Sequence, residues 1–496
     1  MKHKLLILSL IFSSTSVLNA QYDNSKLTLG LDDVIRLAND SSLQAFIVQN
    51  TYLASYWDFR NFNSTKLPFL NFNGSPVDFT RKYSQEYNFL DSSYYYVEQQ
   101  TFGASGNFSL NQTIMKTGGR LYLDTDLGYL NNLNQTAGSQ FYSTPLRIGF
   151  SQQLFGYNAY QWLNKIAPVE FETAKKQLLE DMENISLLAV HSFFTLSSAQ
   201  TNLEIAETIL ANADTLYRIS MKRFELTSIS QEDLYTLKLS WVNSKNNYEQ
   251  AKIDLKRAQM QLNSLLRLDN SVNIELILPD ELPDLHIDPD KCLEMAMQNN
   301  PEIFEYKSSR LQAERDVEQA RKDSRMAANM NASFGLNQQG SSINSAYRNP
   351  TDQEVVSVGI SVPILDWGQS KSAFKLAQKR QEIVNANLEQ SEIDFRQTVL
   401  LTAEEFNLQK QLVAGAIEAD SIAWIAYEIT RARYLNGQSD IIKMGSYLKS
   451  SIDAKQAYIQ ALENYWTYYY TIRKLSLYDF EKGKAIEEDL DEIVNK

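Results

Sequence analysis

Cysteine, glycine, proline and histidine are all scarce in this chain. Cys292 is the only cysteine among 496 residues, which excludes an intramolecular disulfide, and we interpret it as a small buried apolar residue. With 18 glycines and 10 prolines, long loops and linkers are not expected. His191 lies in a long helical pattern with no second histidine nearby, so the sequence predicts no metal site there.

Positive charge is also in deficit. The chain has 47 Lys and Arg residues against 60 Asp and Glu, a formal net charge of −13, which argues against a nucleic-acid partner. The sequence contains no pattern of a nucleophile paired with a base and no phosphate-binding loop, so it predicts neither an enzyme nor a cofactor. After the N-terminal segment there is no run of about 18 apolar residues, and no membrane-spanning helix is expected.

The first 20 residues have the pattern of a secretory signal peptide. Lys2 and Lys4 precede the apolar run LLILSLIF, which is too short to cross a bilayer as a helix. The residues LNA before Gln21 form a cleavage site, although Leu18 is a less usual residue at its position. We expect residues 1–20 to be removed on export, and an uncleaved anchor is the alternative.

Long heptad patterns dominate the rest of the chain. From Leu178 to Phe224, apolar or small residues recur at alternating spacings of four and three, and residues 234–265 and 444–475 continue the same pattern. This spacing gives an apolar seam typical of coiled-coil packing. Leu188 and Ile205 lie off the seam, which indicates helices with neighbours on more than one flank.

Four segments alternate between apolar and polar residues, as amphipathic strands do. They are residues 118–130, 146–154, 330–337 and 355–362. In the first, Leu121 and Leu123 share one face, whereas Asp124 and Asp126 share the other. One apolar face and one face with carboxylates is typical of a transmembrane β-barrel strand, so both aspartates are candidates for a wet lumen. An ordinary half-buried sheet gives the same alternation and is the alternative.

An internal repeat relates the two halves of the chain. Motifs recur 210 residues later, in the pairs Gly149 and Gly359, Ser151 and Ser361, Phe155 and Leu365, and Arg223 and Arg433. We therefore divide the mature chain into a first repeat, residues 21–280, and a second repeat, residues 281–478. Each repeat contains a helix, a β-hairpin and a pair of long helices.

The first repeat carries an insertion, residues 67–115, that the second lacks. Within it, residues 67–79 and 101–113 also alternate, and the sequence leaves open whether they join the barrel or lie beside it. The polar, Tyr-rich tract 80–99 is interpreted as an exposed loop, and so are residues 131–145. The acidic C-terminal tail is residues 479–496, and its last ten residues, EEDLDEIVNK, are interpreted as solvated.

The doubled order of these features resembles the TolC-like outer-membrane efflux proteins. The resemblance covers nearly all of the mature chain and is weakest in the Tyr-rich tract and the acidic tail. The motifs that carry it are STPLRIGFSQQLFGYN, RFELTSISQEDL, AKIDLKRAQMQLNSLL, RYLNGQSDI and ALENYWTYYYTIRKLSLYDF.

This resemblance implies a mixed α/β membrane protein in the cell outer membrane that extends into the periplasm. Long antiparallel coiled-coil-like α-helices would form an α-barrel tunnel, and each chain of a homotrimer would add four strands to one shared transmembrane β-barrel. The implied partners are outer-membrane lipid, a periplasmic adaptor and an inner-membrane pump.

The resemblance also assigns candidate functional residues. The strand-to-helix junctions correspond to Phe155, Gly156, Pro363, Trp367 and Gly368. The helix turns correspond to the periplasmic tips, which form a narrow entrance and dock the partners. The tip candidates are Arg223, Thr227, Asp233, Arg433, Gly437, Gln438, Asp440 and Lys443.

Some residues depart from the family pattern. Gln153 stands at the first junction where proline is common, and Thr227 stands where the turn glycine is expected. Asp233 fits the acidic residue past the tip, but its repeat partner is Lys443. In a trimer these two would form rings of opposite charge, and we hypothesise that they tune ion selectivity and tip closure.

Other roles are open for the same tip residues. Asp233 and Lys443 could lie on the solvated outer face, or could support the first turn of a helix, where aspartate suits the helix dipole. Ser230 and Asp440 can cap the helices that follow the turns. Arg433, Gln438 and Asp440 could instead contact the adaptor.

The leading functional prediction is a passive exit duct of a tripartite efflux or secretion system, driven by the inner-membrane pump. Such a duct catalyses no covalent reaction. The alternative is a coiled-coil tether or adaptor at the outer membrane that contains no pore. A tether explains the heptads but not the alternating strands with acidic faces, and the sequence does not name an exported substrate.

Overall fold

A computed structural model of the chain describes residues 27–89, 92–133, 138–226, 229–279, 282–436 and 438–495. The proposed signal peptide lies outside the described residues. In chain order the elements are β1 (Leu27–Leu29), α1 (Leu31–Ser41), α2 (Leu43–Ser64), β2 (Phe69–Asn88), β3 (Ser93–Ile114), β4 (Gly119–Asn132), β5 (Ser139–Leu154), α3 (Ala159–Glu225), α4 (Gln231–Leu265), β6 (Ile274–Leu276), α5 (Pro289–Asn299), α6 (Pro301–Asp323), β7 (Ala327–Gly340), α7 (Ile343–Ala346), β8 (Thr351–Ser361), α8 (Gln369–Leu435), α9 (Ile441–Ser476), β9 (Tyr478–Asp479), β10 (Lys484–Ala485) and α10 (Leu490–Asn495).

The chain forms two compact units, each assembled from separated stretches of sequence. The first unit takes the residues up to Ala45 and ranges 185–283 and 409–467. The second unit takes ranges 46–184 and 284–408 and the residues from Tyr468 onward.

The first unit is built on the heptad seam. Ala189, Leu196, Ala206 and Ala213 of α3 are all buried, which confirms the predicted seam along this helix. Leu188, off the seam, is 40% exposed in the isolated chain. Two short strands, β1 and β6, pair in parallel beside the helices.

The long helices of the two halves have equal lengths and corresponding positions in the sequence. The helices α3 and α8 each contain 67 residues. The helix α8 begins and ends 210 residues after α3, from Ala159 to Gln369 and from Glu225 to Leu435. None of the helices in the described part of the chain combines the length and apolar character needed to cross a membrane.

The second unit contains an antiparallel sheet with the strand order β2-β3-β4-β5-β7-β8. The strands β4, β5, β7 and β8 cover the four segments predicted from alternation except for residues 118 and 362, so those predictions are confirmed. The insertion supplies β2 and β3, which continue the same sheet. The described residues thus place six strands in one sheet. The contribution of four strands per copy to a shared barrel stays a prediction.

Two stretches predicted as loops are largely strands. Residues 80–88 belong to β2 and 93–99 to β3, and β5 already begins at Ser139. The prediction failed because both faces of this hairpin are polar or aromatic, so no apolar alternation marks the strands. Tyrosine favours strands, and the cross-strand partner supplies the backbone hydrogen bonds.

The hairpin β2–β3 reaches further than the strands beside it. The register between β3 and β4 ends at Thr101 and Asn132, whereas the register between β2 and β3 continues to Asn88 and Ser93. We name residues 81–88 and 93–100 the hairpin tip.

The C-terminal residues also fold, so the prediction of a solvated tail is wrong for part of them. The strands β9 and β10 form a small hairpin, and Ile493 of α10 packs with Tyr52 of α2 and Leu178 of α3. The prediction failed because acidic residues surround the few apolar residues of α10 in the sequence. Cys292 is buried as predicted, and burial raises the pKa of its thiol to about 12.

Candidate functional site

One face of the six-stranded sheet is apolar and exposed. The register places Leu70, Leu110, Leu123, Ile148 and Phe334 in one row across five strands. We define the apolar sheet face by its exposed members, which are Leu70, Phe72, Phe79, Phe108, Leu110, Leu121, Leu123, Leu146, Ile148, Phe334, Val356, Val358 and Ile360. A contiguous apolar surface of this size is a contact surface for lipid or protein rather than for water.

The opposite face of the sheet is polar and carries a charge pair. Asp124 of β4 lies between Ser109 of β3 and Arg147 of β5 in the register. Arg147 Nη2 is 3.0 Å from Asp124 Oδ2, and the Ser109 hydroxyl donates to Asp124 Oδ1. Asn111 Nδ2 donates in turn to Ser109 Oγ at 2.9 Å. Asp124 is therefore held in a hydrogen-bonded cluster on the polar face.

Asp126 lies on the same polar face, paired with Asn107 of β3 and Thr144 of β5. The two predicted aspartates thus share a face, opposite Leu121 and Leu123. Arg147 was missed at the level of sequence, although its alternation with Leu146 and Ile148 places it on the polar side of β5.

Two glycines on the polar face make room for tyrosine rings from neighbouring strands. A Cβ at Gly149 would lie 2.1 Å from Tyr122 Cζ, and a Cβ at Gly128 would lie 2.0 Å from Tyr142 Cζ. Each aromatic ring covers the backbone of a glycine that has no side chain of its own. Such pairs fix strand register because a shifted register would bring a side chain under the ring.

The strand-to-helix junctions have unusual backbone conformations. Phe155 has φ +63°, Trp367 has φ +54° and Gly368 has φ +88°, so both junctions pass through the left-handed region. Gly156 follows Phe155 at the first junction. Pro363 lies in the segment between the end of β8 and the start of α8.

Each junction ends in a side chain that caps the following helix. Asn158 Oδ1 accepts from the backbone N–H groups of Tyr160 and Gln161, which begins α3. Asp366 accepts from the backbone N–H groups of Gly368 and Ser370, which begins α8. The hydrogen bonds from Ser370, with that from Gly368, hold the pKa of the Asp366 carboxyl below its usual range.

The second junction exposes apolar side chains. Ile364 is 95% exposed and Trp367 is 89% exposed, and Leu365 is also exposed. At the first junction, Phe155 is exposed. Trp367 was predicted at this junction, whereas Ile364 was not singled out. Exposed tryptophan is typical of the interface between membrane and water.

The first helix turn is closed by a capping box. Ser230 Oγ accepts from the backbone N–H of Asp233 at 3.0 Å, and Asp233 Oδ2 accepts from the backbone N–H of Ser230 at 3.3 Å. The predicted cap at Ser230 is confirmed. Arg223 is exposed in the last turn of α3, and Thr227 lies outside the described residues.

The second helix turn uses different contacts. Asp440 Oδ1 accepts from the backbone N–H of Lys443 at 2.6 Å, which confirms the predicted cap. The backbone N–H of Gln438 donates to Arg433 O at 2.8 Å and closes the end of α8. Lys443 is exposed in the first turn of α9, and Gly437 lies outside the described residues.

The two helix turns lie close to each other. Burial raises the pKa of the Tyr434 phenol in the second turn. From the first turn, the charge of Arg223 lowers this pKa and the charge of Asp233 raises it. The structure thus brings Arg223 and Asp233 of the first turn near Tyr434 of the second.

A buried ion-pair cluster in the second unit was missed from the sequence. Arg473 of α9 forms two hydrogen bonds with Glu183 of α3, at 3.0 and 2.8 Å, and a third with Asp479 at 2.7 Å. Burial lowers the pKa of the Arg473 guanidinium, but the hydrogen bonds and charge of Glu183 outweigh burial and raise it. Glu183 and Arg473 are 290 residues apart, so no local pattern reveals the pair.

Comparisons with known proteins agree with this geometry. Residues 292–476 match the family model described as "Outer membrane efflux protein". No curated protein matches the chain by sequence. The resemblance predicted from the sequence is confirmed, since residues 292–476 are similar to the outer membrane efflux proteins.

Solved outer membrane channels share the fold. The CmeC outer membrane channel of Campylobacter jejuni is 14% identical, with a TM-score of 0.67 over 94% of this chain and 88% of CmeC. The outer membrane protein VceC of Vibrio cholerae is 12% identical, with a TM-score of 0.60 over 92% of this chain and 97% of VceC. The open-state MtrE outer membrane channel of Neisseria gonorrhoeae is 14% identical, with a TM-score of 0.57 over 90% of this chain and 88% of MtrE.

Proposed function

We propose that this chain is the outer-membrane exit duct of a tripartite efflux or secretion system. In this proposal it moves solutes passively across the outer membrane and the periplasm, and a separate inner-membrane pump supplies the energy. The observation that carries the proposal is the two-sided sheet. Its exposed apolar face suits lipid, and its polar face, with the Asp124–Arg147 pair, suits an aqueous lumen.

The duct requires several copies of the chain. A single six-stranded sheet leaves two edge strands, whose unpaired backbone groups are costly in lipid. We propose a homotrimer in which the sheets join into one transmembrane β-barrel and the long helices form an α-barrel tunnel. The equal lengths and constant offset of α3 and α8 support a duplicated repeat within each copy.

The junctions mark the membrane boundary in this proposal. Exposed Trp367 and Phe155 would lie at the level of the lipid headgroups, where aromatic side chains are favoured. The capped starts of α3 and α8 then continue into the periplasm. Cap residues Asn158 and Asp366 let the chain change from strand to helix within a few residues.

The helix turns would form the periplasmic entrance and the docking surface for a periplasmic adaptor and the pump. Asp233 and Lys443 are proposed to tune ion selectivity and tip closure, as rings of opposite charge in the trimer. Asp233 also completes a capping box, so it has a structural role that does not depend on the lumen. Arg433, Gln438 and Asp440 remain candidates for adaptor contacts.

A tether without a pore is the second candidate, but no feature of the described residues favours it over the duct. A tether has no use for an exposed apolar face backed by a polar face with a charge pair. The two candidates differ in whether the polar face surrounds water.

The test is conductance of the detergent-purified protein in a planar bilayer, with its mass measured alongside. The duct predicts a trimeric mass and discrete conductance steps. A monomer or dimer that conducts at no voltage would reject the duct and favour the tether.

A further inference from the structure

We propose that the hairpin β2–β3 forms part of the membrane wall and that β2 of one copy pairs with β8 of a second copy. Each copy then contributes six strands, and a trimer closes a barrel of eighteen strands rather than twelve. This inference rests on the proposed function, because it specifies how the copies of the duct join.

The first observation is an unbroken ladder between the hairpin and the rest of the sheet. Every residue of β3 from Thr101 to Ile114 has a partner in β4, from Asn132 to Gly119. The next strand pair, β4 and β5, is connected in the same way with one irregularity. Moving the hairpin out of the sheet would therefore break the whole β3–β4 ladder, which is as regular as the ladders among the other strands.

The second observation is that the hairpin has the same two faces as the strands beside it. Leu70 and Phe72 of β2 and Phe108 of β3 extend the apolar sheet face, and they are 64%, 60% and 52% exposed. On the other side, Asn71 and Ser109 are register partners and continue the polar row that contains Asp124. A hairpin placed beside the barrel in water would gain nothing from exposing large apolar side chains on one face.

The third observation is an aromatic row that crosses the hairpin and its neighbours. Phe79 of β2 pairs with Phe102 of β3. The ring of Phe102 lies 6.5 Å from that of Tyr129 in β4, which lies 5.0 Å from that of Phe141 in β5, measured between centroids. Aromatic girdles lie at the membrane interface of transmembrane barrels. One girdle running through β2, β3, β4 and β5 places all four strands at the same depth.

The edges of the sheet decide the partner. The strands β2 and β8 are the two ends of the six-stranded order, and every residue of β8 is exposed. Lipid offers no hydrogen bonds, so both edges need strand partners within the membrane. With an even number of antiparallel strands, β2 and β8 run in opposite directions. A second copy can therefore pair its β8 with β2 in the same antiparallel manner as all the other strands.

The lengths of the two edges also match. The strand β8 has 11 residues, Thr351–Ser361, and β2 has the same number from Phe69 to the aromatic row at Phe79. Barrel diameter grows roughly in proportion to strand number, so eighteen strands would widen the lumen about 1.5-fold over twelve. The duct would then admit bulkier solutes at its membrane end than a twelve-stranded barrel.

The experiment is cysteine cross-linking between copies of the full-length protein in membranes. Asn71→Cys on β2 is combined in turn with Val355→Cys, Ser357→Cys and Gly359→Cys on the same face of β8. The matched control combines Arg120→Cys on β4 with the same three substitutions, because β4 would meet β8 only if the hairpin lay outside the barrel. Cys292 is buried and is tested alone for background.

The proposal predicts a covalent trimer on a non-reducing denaturing gel from at least one Asn71 combination and from none of the Arg120 combinations. A trimer from the Arg120 combinations, or cross-linking in neither series, would overturn it. Mass and conductance of the unsubstituted protein separate this failure from that of the duct. If the protein is trimeric and conducts, only the six-stranded contribution to the barrel is rejected. A monomer that shows no conductance would reject the duct itself.

Discussion

Arg147 and Asp124 face each other across β4 and β5, with Arg147 Nη2 3.0 Å from Asp124 Oδ2. Asp124 is the less exposed partner, at 11% of its side chain, and Arg147 is 36% exposed. Removing the carboxylate leaves the guanidinium without its counter-charge on the polar face of the sheet.

We expect Asp124→Asn to weaken the sheet by about 1 to 2 kcal/mol, a modest value because Arg147 is partly solvated. The temperature at which the proposed trimer dissociates on a gel should fall, and its conductance should shift toward anions. The matched control is Asp126→Asn on the same strand face. An Asp124→Asn protein with unchanged stability and unchanged selectivity would show that the pair neither supports the sheet nor faces the lumen.

The Arg473 cluster gives a larger expected effect. Arg473→Leu removes the positive charge that pairs with the buried carboxylates of Glu183 and Asp479. The free energy of unfolding of the second unit should therefore fall by about 3 to 5 kcal/mol. The measurement is denaturant unfolding followed by tryptophan fluorescence. Lys474→Leu is the control, because Lys474 lies 3.7 Å from Glu180 and should cost much less. An equal loss of unfolding free energy in both variants would show that the Arg473 cluster stabilises the unit no more than the Lys474–Glu180 pair does.

The same cluster predicts a dependence on pH. Burial acts to raise the pKa of the Asp479 carboxyl, but the backbone N–H of Lys482 and the charge of Arg473 outweigh it and hold the pKa below the ordinary value. Its stabilising contribution is therefore complete above about pH 4 and is lost as the pH falls through the lower folded value. Stability curves should drop more steeply below pH 4 in the unsubstituted protein than in Asp479→Asn, and parallel curves would contradict the assignment.

The capping box offers a local prediction at the helix turn. Ser230→Ala removes the side-chain acceptor for the backbone N–H of Asp233 and should cost about 1 kcal/mol. The effect should be confined to the first turn of α4, where amide hydrogen exchange should speed up about fivefold. Gln231→Ala serves as the control in the same turn. Unchanged exchange at Asp233 after Ser230→Ala would mean that the cap does not limit fraying.

Charge reversal tests the proposed entrance. If Lys443 faces the lumen, Lys443→Asp should raise cation preference in bilayer recordings, because six acidic side chains would then line the entrance of a trimer with Asp233. Lys449→Asp is the control for net charge, because Lys449 lies in the same helix, between one and two turns after Lys443. An unchanged reversal potential would place Lys443 on the outer surface.

The sequence was sufficient where one local pattern determined one element. Alternation in β4 placed Asp124 and Asp126 opposite Leu121 and Leu123, and the heptad seam located the buried side of α3. These patterns succeed because burial on one side imposes the period of the element on the chain.

The sequence was not sufficient where structure depends on distant partners. The Tyr-rich tract around Tyr94 and Tyr96 has no polar-apolar alternation, and its strand exists because β2 lies beside it. The contact between Glu183 and Arg473 joins residues that are 290 positions apart in the chain. At the turns, Asp233 was recognised as a helix-start residue, but its relation to a lumen depends on other copies of the chain.

In the proposed outer-membrane trimer, the hairpin tip would point toward the outside of the cell. Its eight residue pairs beyond the β3–β4 ladder, at about 3.4 Å each, carry the two-stranded ribbon roughly 27 Å past that ladder. Phe89 is 87% exposed and Tyr96 is 73% exposed, so a macromolecule that approached this end would meet aromatic rings first. In that proposed trimer, three such ribbons around one exit would limit the size of the macromolecule that can reach the mouth.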